Sequence, residues 1–563
     1  MIHFLPRLMA ILLLGLLAAC SSQPSKNPVS VSPPPPITGA QPPPAPREFR
    51  AMWVATVANI DWPSKPGLSS VQQRAEIKAM VDAARRLNLN AIVLQVRPGA
   101  DAIYPSALEP WSEYVSGQQG VAPQPPYDPL AEWISLAHES GIELHAWFNP
   151  FRARHSAARS AVAANHISKK MPAVVKSYGD QLWIDPGEAD AAAHTLAVIT
   201  DVVRRYDIDG VHIDDYFYPY PVKAPPPIAA PTTATATPAP LPPAATTAST
   251  TEVSPPEVDF PDEPSWQRYR ASGGKLARTD WRRDNVNQLV QAMYRAVRAE
   301  KAWVKVGISP FGLGRPDLRP AGIKGFSQYD KLYADVELWF AQGWLDYLAP
   351  QLYWPIAQEA QAFSPLLNYW IAQNTKARHL WPGLFTSRID SSEKSWQPEE
   401  ILQQIALTRS AAGATGHLHF SAVALTQNRK GIADALRAST YTMDALVPAS
   451  TWLAPKTLAI DPAPKATLRC SAPPNCILAL VDSPQKRVDK TALWTQYGDV
   501  WDFKVLNGKT QNVLVPATHA GNALQQVVVS SVDRFGIESA RLALRPERVG
   551  SIAPPPAGKS STP

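Results

Sequence analysis

The chain has 563 residues, enough for two or three domains and a large core. Hydrophobic residues make up 45% of it, so it is globular overall, but 58 prolines against 28 glycines is lopsided and the prolines cluster. A net charge of +6 permits only weak attraction to anionic surfaces, and without a dense Lys/Arg stripe it points away from nucleic acid.

At the N-terminus Arg7 precedes an apolar run from Leu8 to Leu17, then Ala18-Ala19-Cys20. The run is too short to span a bilayer and predicts a signal peptide over residues 1–19. Leu17-Ala18-Ala19-Cys20 resembles a bacterial lipobox, with Cys20 as the lipidated first residue of the mature chain. Ser21 after the cysteine resembles the sorting pattern of outer-membrane lipoproteins, so a lipid-anchored, periplasm-facing protein is expected. Residues 20–46 are rich in Ser and Pro and predict an extended tether.

From 47 to 445, short β-rich runs alternate with amphipathic helical windows. The runs are Met52–Val57, Ala91–Arg97, Glu143–Asn149, Gly210–Phe217, Val304–Ser309, Tyr347–Trp354, Leu380–Thr386 and Gly416–Val423. Helices are predicted over 73–87, over a window with Asp128 as N-cap, Pro129 in the first turn and Gly141 as C-cap, then over 188–206, 281–300, 327–342, 361–376 and 397–410. Eight β/α units in a row predict an α/β fold, a (β/α)8 TIM barrel, whose catalytic groups sit at the C-terminal ends of its strands. Residues 222–258, rich in Pro, Ala and Thr, cannot bury enough apolar surface to fold and predict a disordered insertion in the loop after the fourth strand.

The fourth run carries the strongest chemical signal. Val211 and Ile213 fall on one face, His212 and Asp214 on the other, and Asp214-Asp215 end the strand ahead of Tyr216, Phe217 and Tyr218. Paired carboxylates beside aromatic rings suit glycosidic-bond cleavage, where acid chemistry acts on a sugar held by stacking. By parity the inner face also receives Arg97 from the second strand; His145, Trp147 and Asn149 from the third; Gln351 and Tyr353 from the sixth; and His417, His419 and Ser421 from the eighth. Asp61-Trp62 follows the first strand, and Asp185 lies in the loop beyond the third. One inward polar residue is usually a satisfied core group, but so many near strand ends argue for a site. Trp62, Trp147, Tyr216, Tyr218 and Trp354 are expected to divide between sugar platforms and core packing.

From 450 to 546 the chain turns β-rich and predicts an accessory sandwich, and residues 551–563 predict a disordered tail. Cys470 and Cys476 lie close together, and in an oxidising compartment a disulfide between them is expected; two free thiols are the alternative.

Several motifs resemble those of the bacterial family-10-like glycosyl hydrolases: RAMWVATVANIDWP (50–63), LQVRPGADAIYPS (94–106), HAWFNPFR (145–152), DGVHIDDYFYPYP (209–221), WRRDNVN (281–287), GISPFG (307–312) and LDYLAPQLYWP (345–355). The resemblance implies a glycosidase-like barrel that cleaves peptidoglycan glycan strands stripped of their stem peptides. Asp214 is then expected as nucleophile or orienting base, and Asp215 as partner acid or as a ligand of a sugar hydroxyl; Asp61 and Asp185, and behind them Asp101 and Glu113, are the other candidate acids, and no cofactor is expected. The substrate-binding set is expected to be Asp61, Trp62, Arg97, His145, Trp147, Asn149, Asp185, His212, Tyr216, Tyr218, Gln351 and Tyr353. Asp209-Gly210 with Asp214 partly resembles the chitinase strand-4 pattern, which would make the substrate's acetamido group the nucleophile. The same residues also admit a non-catalytic glycan-binding lipoprotein, or a metal site of Asp214 and Asp215 with His212 or His145. The segment around Val527–Gly536 resembles the last hairpin of a fibronectin type III sandwich. The resemblances leave the oligomeric state open.

Overall fold

The structure is a computed structural model that describes residues 37–38, 40–224, 256–472, 474–481 and 488–546. Cys20, the signal segment, the C-terminal tail and residues 225–255 of the insertion lie outside the described residues.

A curled parallel sheet organises the first part of the chain. Its strands are β1 (Phe49–Val54), β2 (Ala91–Arg97), β3 (Glu143–Phe148), β4 (Gly210–Ile213), β5 (Lys305–Ile308), β6 (Tyr347–Leu348), β7 (His379–Leu380), β8 (Gly383–Leu384) and β9 (Gly416–His419). They pair in the order β7-β6-β5-β4-β3-β2-β1-β9-β8. The two ends of that path, β7 and β8, are separated in the chain only by Trp381 and Pro382. The strands are buried on both faces, as a parallel sheet covered by helices requires. On the outer face Met52, Ile92, Leu94, Leu144, Val211, Ile213 and Val306 join the main core, packed on α1 (Ser70–Arg86), α2 (Pro129–Glu139), α3 (Ala189–Arg205) and α4 (Arg278–Glu300). Further helices follow at α5 (Val336–Gln342), α6 (Phe363–Ala372) and α7 (Pro398–Ser410). The local signals act as expected: the Asp128 side chain accepts from Ala131 N at the start of α2, and Ser69 with Gln72 forms a capping box on α1.

The inner face encloses a chain of buried polar contacts. The Trp53 indole N–H donates to His212 Nε2 (3.2 Å), while His212 Nδ1 and His145 Nδ1 both reach the Tyr347 hydroxyl (3.0 and 2.9 Å). His145 Nε2 meets Glu143 (3.0 Å), whose two oxygens accept from Lys305 Nζ (3.0 Å each). Trp53 can only donate and Glu143 only accept, so the proton order along the chain is fixed in one direction. Room for these rings comes from two glycines: a Cβ on Gly307 would lie 1.8 Å from the Tyr347 ring, and one on Gly210 2.4 Å from His145.

The expected strand ends run too long. The fourth run stops at Ile213 rather than Phe217, the sixth at Leu348 rather than Trp354, and the seventh breaks at Trp381-Pro382. Apolar and aromatic residues continue past the last ladder bond because the loops themselves are packed. The predicted helix over 327–342 is two pieces, Gln328–Lys331 and α5. The eighth run shows the opposite parity to that expected: Leu418 and Phe420 join the inner cluster, while His417 and His419 face Tyr441.

Residues 466–546 form two antiparallel sheets. β10 (Ala466–Ala472), β11 (Asn475–Leu480) and β14 (Asn512–Pro516) make one; β13 (Val500–Asn507), β12 (Val488–Tyr497), β15 (Asn522–Asp533) and β16 (Leu542–Leu544) make the other, extended by Ile37–Thr38. Leu478, Leu493, Val515, Val527 and Val529 fill the space between them. Cys470 and Cys476 are joined by a disulfide. The outer face of the larger sheet carries Trp494, Phe503, Val505 and Val528 against Leu446, Met443 and Ala45, at the N-terminal end of the parallel strands. Asp444 links the two parts by pairing with Arg85 (2.9 Å) and accepting from Val505 N (2.8 Å).

The ends of the insertion are pinned to each other. Lys223 and Glu257 form an antiparallel bridge, Ala224 N donates to Pro256 O and Val258 N to Val222 O, both at 2.8 Å.

Candidate active site

Asp214 leaves the C-terminal end of β4 into the mouth of the curled sheet and is 3% exposed. Its Oδ2 accepts from the Trp147 indole N–H (3.0 Å), and Asn149 Nδ2 donates to both oxygens (3.2 and 3.1 Å). Parity along β3 and the residue after it places both donors on the inner face. Burial raises the Asp214 pKa to about 7; Arg152 opposes the rise, and the neighbouring charge of Asp215 adds to it. Asp215 is also buried and also raised, because desolvation outweighs the hydrogen bonds from Tyr220 and Gln351. A carboxyl such as Asp214 that holds its proton to about pH 7 can give and take it at physiological pH.

Around this pair stand aromatic rings. Tyr216, half-buried, lies under the Arg152 guanidinium at 4.0 Å and packs on Tyr220 at 5.5 Å. Tyr220 stacks on Phe326 (5.2 Å), which meets Phe311, and Phe311 packs on Trp354 (5.5 Å). Tyr353 stacks on Phe385 (4.9 Å) with Phe420 beside it (5.7 Å). Gln351 donates to Ser309 O (3.0 Å) below Asp215.

The structure therefore brings Asp214, Asp215, Trp147, Asn149, Tyr216, Gln351 and Tyr353 into one region. It places the other expected sugar contacts elsewhere. His145 and His212 are fully buried in the inner chain with both ring nitrogens engaged, so they neither face a sugar nor complete a metal set with the aspartates. Arg97 is locked in a buried pair with Glu109 (2.5 Å). Trp62 packs edge-on against Trp133 in the core, and Asp61 closes its own loop by accepting from Ala55 N, Ser421 Oγ and Val423 N. Asp185 holds Ser265 Oγ (2.7 Å) and Gly187 N (2.9 Å), and Tyr218 is buried against Phe260 and Tyr333. Burial raises both Asp61 and Asp185 to about 6. Among the described residues no group of three or more His, Cys, Asp or Glu is arranged to hold a metal ion.

Two residues of the site were not assigned to it from sequence. Tyr220, whose hydroxyl donates to Asp215, lies in the same DGVHIDDYFYPYP motif but beyond the end of β4, where parity no longer sets a direction. Arg152, in the loop after β3, is marked in the sequence by its place at the end of HAWFNPFR and among the polar loop residues beyond the third strand, but not by any signal of its role. A cleft of about 660 Å³ lies at the opposite end of the sheet, lined by His138, Arg205, Asp207, Asn507 and Lys509. It touches no C-terminal end of the parallel strands and shares no lining residue with the carboxyl site.

Residues 48–399 match the profile described as glycosyl hydrolase-like 10. The chain is 37% identical over 503 residues to glycosyl hydrolase YngK of Bacillus subtilis, covering 86% of this chain and 88% of that one. It is 30% identical over 405 residues to glycosyl hydrolase DigH of Escherichia coli K12, covering 67% and 82%. The glycoside hydrolase domain of PgaB (BpsB) from Bordetella bronchiseptica overlays 70% of this chain and 99% of its own, with a TM-score of 0.42 and 11% identity. On the extent of the profile match and of these relatives, the chain belongs to the glycosyl hydrolase-like 10 family.

Proposed function

We propose that this protein hydrolyses β-1,4 glycosidic bonds of an amino-sugar cell-wall polysaccharide, namely denuded peptidoglycan glycan strands, with Asp214 and Asp215 as its working carboxyls. The observation that carries the proposal is Asp214: a buried carboxyl at a strand end, held by Trp147 and Asn149, with its pKa raised to about 7 and ringed by aromatics. The raised pKa of Asp214 exchanges the roles expected from sequence: in this reading Asp214, rather than Asp215, carries the proton delivered to the leaving oxygen. Asp215, gripped by Tyr220, is the partner that activates water or stabilises the cationic sugar. Two buried like charges on adjacent residues resist joint ionisation, and the charge of Asp215 adds to the rise that burial gives Asp214.

The same reading takes residues 47–445 as a closed (β/α)8 barrel, with β7 and β8 as halves of one strand. It takes 450–546 as a fibronectin type III-like sandwich, supported by the pairing β13-β12-β15-β16 opposite β10-β11-β14. It also makes Cys20 a lipid anchor at the outer membrane, which rests on the lipobox-like residues alone.

Denuded strands incubated with the full chain and read by mass spectrometry test the proposal. New glycan ends with the native chain, and none with Asp214→Asn, are expected. Cleavage undiminished in the variant, or absent with the native chain, sinks it.

A further inference from the structure

Among the described residues six cationic side chains are buried: Arg50, Arg97, Arg152, Arg282, Lys305 and Lys490. Five have a carboxylate within hydrogen-bonding distance. Arg50 pairs with Glu48, Arg97 with Glu109, Arg282 with Asp259 and Asp262, Lys305 with Glu143, and Lys490 with Asp489. That is what burial demands, because a charge moved away from water loses its hydration and must find a partner of opposite sign. Arg152 breaks the rule. It is 2% exposed, and none of the ion pairs within 4.0 Å among the described residues involves it.

Its few contacts leave capacity unused. Nη1 donates to Pro98 O at 3.3 Å, and Tyr216 meets the guanidinium through its ring, at 4.0 Å, and through its hydroxyl. Nε is buried with no partner. Arg152 nonetheless stands at the carboxyl pair, close enough for its charge to act on both Asp214 and Asp215. A planar cation with an unmet N–H beside a hydrolytic centre is built to receive an anionic group in bidentate fashion.

We infer that Arg152 is a specificity-determining residue that binds a carboxylate carried by the substrate sugar, which selects N-acetylmuramic acid over a plain N-acetylhexosamine polymer. This rests on the hydrolase reading above and narrows its substrate. The lactyl ether of N-acetylmuramic acid ends in a carboxylate that is amide-bound while a stem peptide is attached. Removing the peptide frees the charge, so an arginine reader favours denuded strands over peptide-bearing ones and over chitin-like chains alike. Tyr216 supplies the ring that holds the guanidinium plane in place.

The test measures binding rather than cleavage, with the full chain carrying Asp214→Asn so that ligand is not consumed. The two probes are denuded strands with free lactyl carboxylates and the same strands after carbodiimide coupling to methylamine. The parent is expected to prefer the free acid by ~10- to 100-fold, the worth of a charge-assisted hydrogen bond. Adding Arg152→Gln should erase the preference by weakening only the free-acid probe, and Arg152→Lys should keep part of it. Equal binding of both probes by the parent overturns the inference while leaving the hydrolase reading intact. A preference that persists in Arg152→Gln, or equal weakening on both probes, overturns it too and assigns Arg152 to holding the aspartates. Binding of neither probe overturns both readings together. If Arg152→Gln does not fold, the parent comparison and the lysine variant still decide.

Discussion

At Asp214 two demands conflict. Every hydrogen bond it accepts favours the ionised form, yet its pKa stands at about 7, so burial wins. The folded chain binds this proton more tightly than the unfolded one, whose aspartate titrates near its ordinary value of 3.8. The sign follows: the contribution of this residue to stability is full below the unfolded value and is lost as pH rises towards 7. Asp214→Asn should therefore be more stable to urea unfolding than the native chain at pH 8, by about 1–3 kcal/mol, because a neutral amide avoids the burial of charge. The gain is smaller than the full shift implies, since the new Nδ2 cannot accept from Trp147 or Asn149. The same substitution should lower kcat for strand cleavage by ~10²- to 10⁴-fold, the usual share of a general acid. Cleavage by the native chain should decline above pH 7 as the proton leaves, which a kcat/KM profile between pH 5 and 9 would reveal. Tyr220→Phe removes a donor from Asp215 and should move the acidic limb of that profile upward, because the ionised form loses support. An unchanged acidic limb would exclude Asp215 from the reaction.

The elements were largely legible and their ends were not. The window 73–87 became Ser70–Arg86 and 397–410 became Pro398–Ser410, because helical spacing of apolar residues and capping side chains are local signals. Asp214 and its two donors were readable because β-strand parity carries them inward, whereas Asp215 was marked only by its place beside Asp214 at the strand end. Parity misled where polar was equated with useful. His145 and His212 point inward as expected, but Tyr347, 202 residues from the first and 135 from the second, satisfies them, and no local pattern announces that partner. His417 and His419 point the other way, into Tyr441, which lies beyond the last run. Tyr347→Phe tests the inner chain directly: both histidine Nδ1 atoms lose their partner at once, and urea unfolding should show a loss of about 1–3 kcal/mol per unsatisfied group. An unfolding curve that superimposes on the native one would mean water replaces the hydroxyl.

At the scale of the whole molecule, the C-terminal sheets are bound into the first part rather than strung behind it. Trp494, Phe503 and Val528 cover Leu446 and Met443, Arg534 pairs with Asp207, and Lys490 sits against the floor of the parallel sheet. Burial alone would lower the Lys490 pKa, but Asp489, Glu143 and Asp209 outweigh it and hold the ammonium charged. A chain ended at residue 448 exposes that apolar face and leaves Glu143 and Asp209 short of a countercharge. It should precipitate, or melt well below the full chain in a thermal scan; an equal melting temperature would show the parts to be independent. The stem at residues 222–224 and 256–258 has the opposite character. Its two legs are already locked at the spacing of neighbouring β-strands, so the fold has no stake in how much chain is strung between them. Residue 224 and residue 256 are a ready splice point beside the mouth: a two-residue Asn-Gly link, a longer spacer or a foreign peptide should each be accepted there with the native melting temperature.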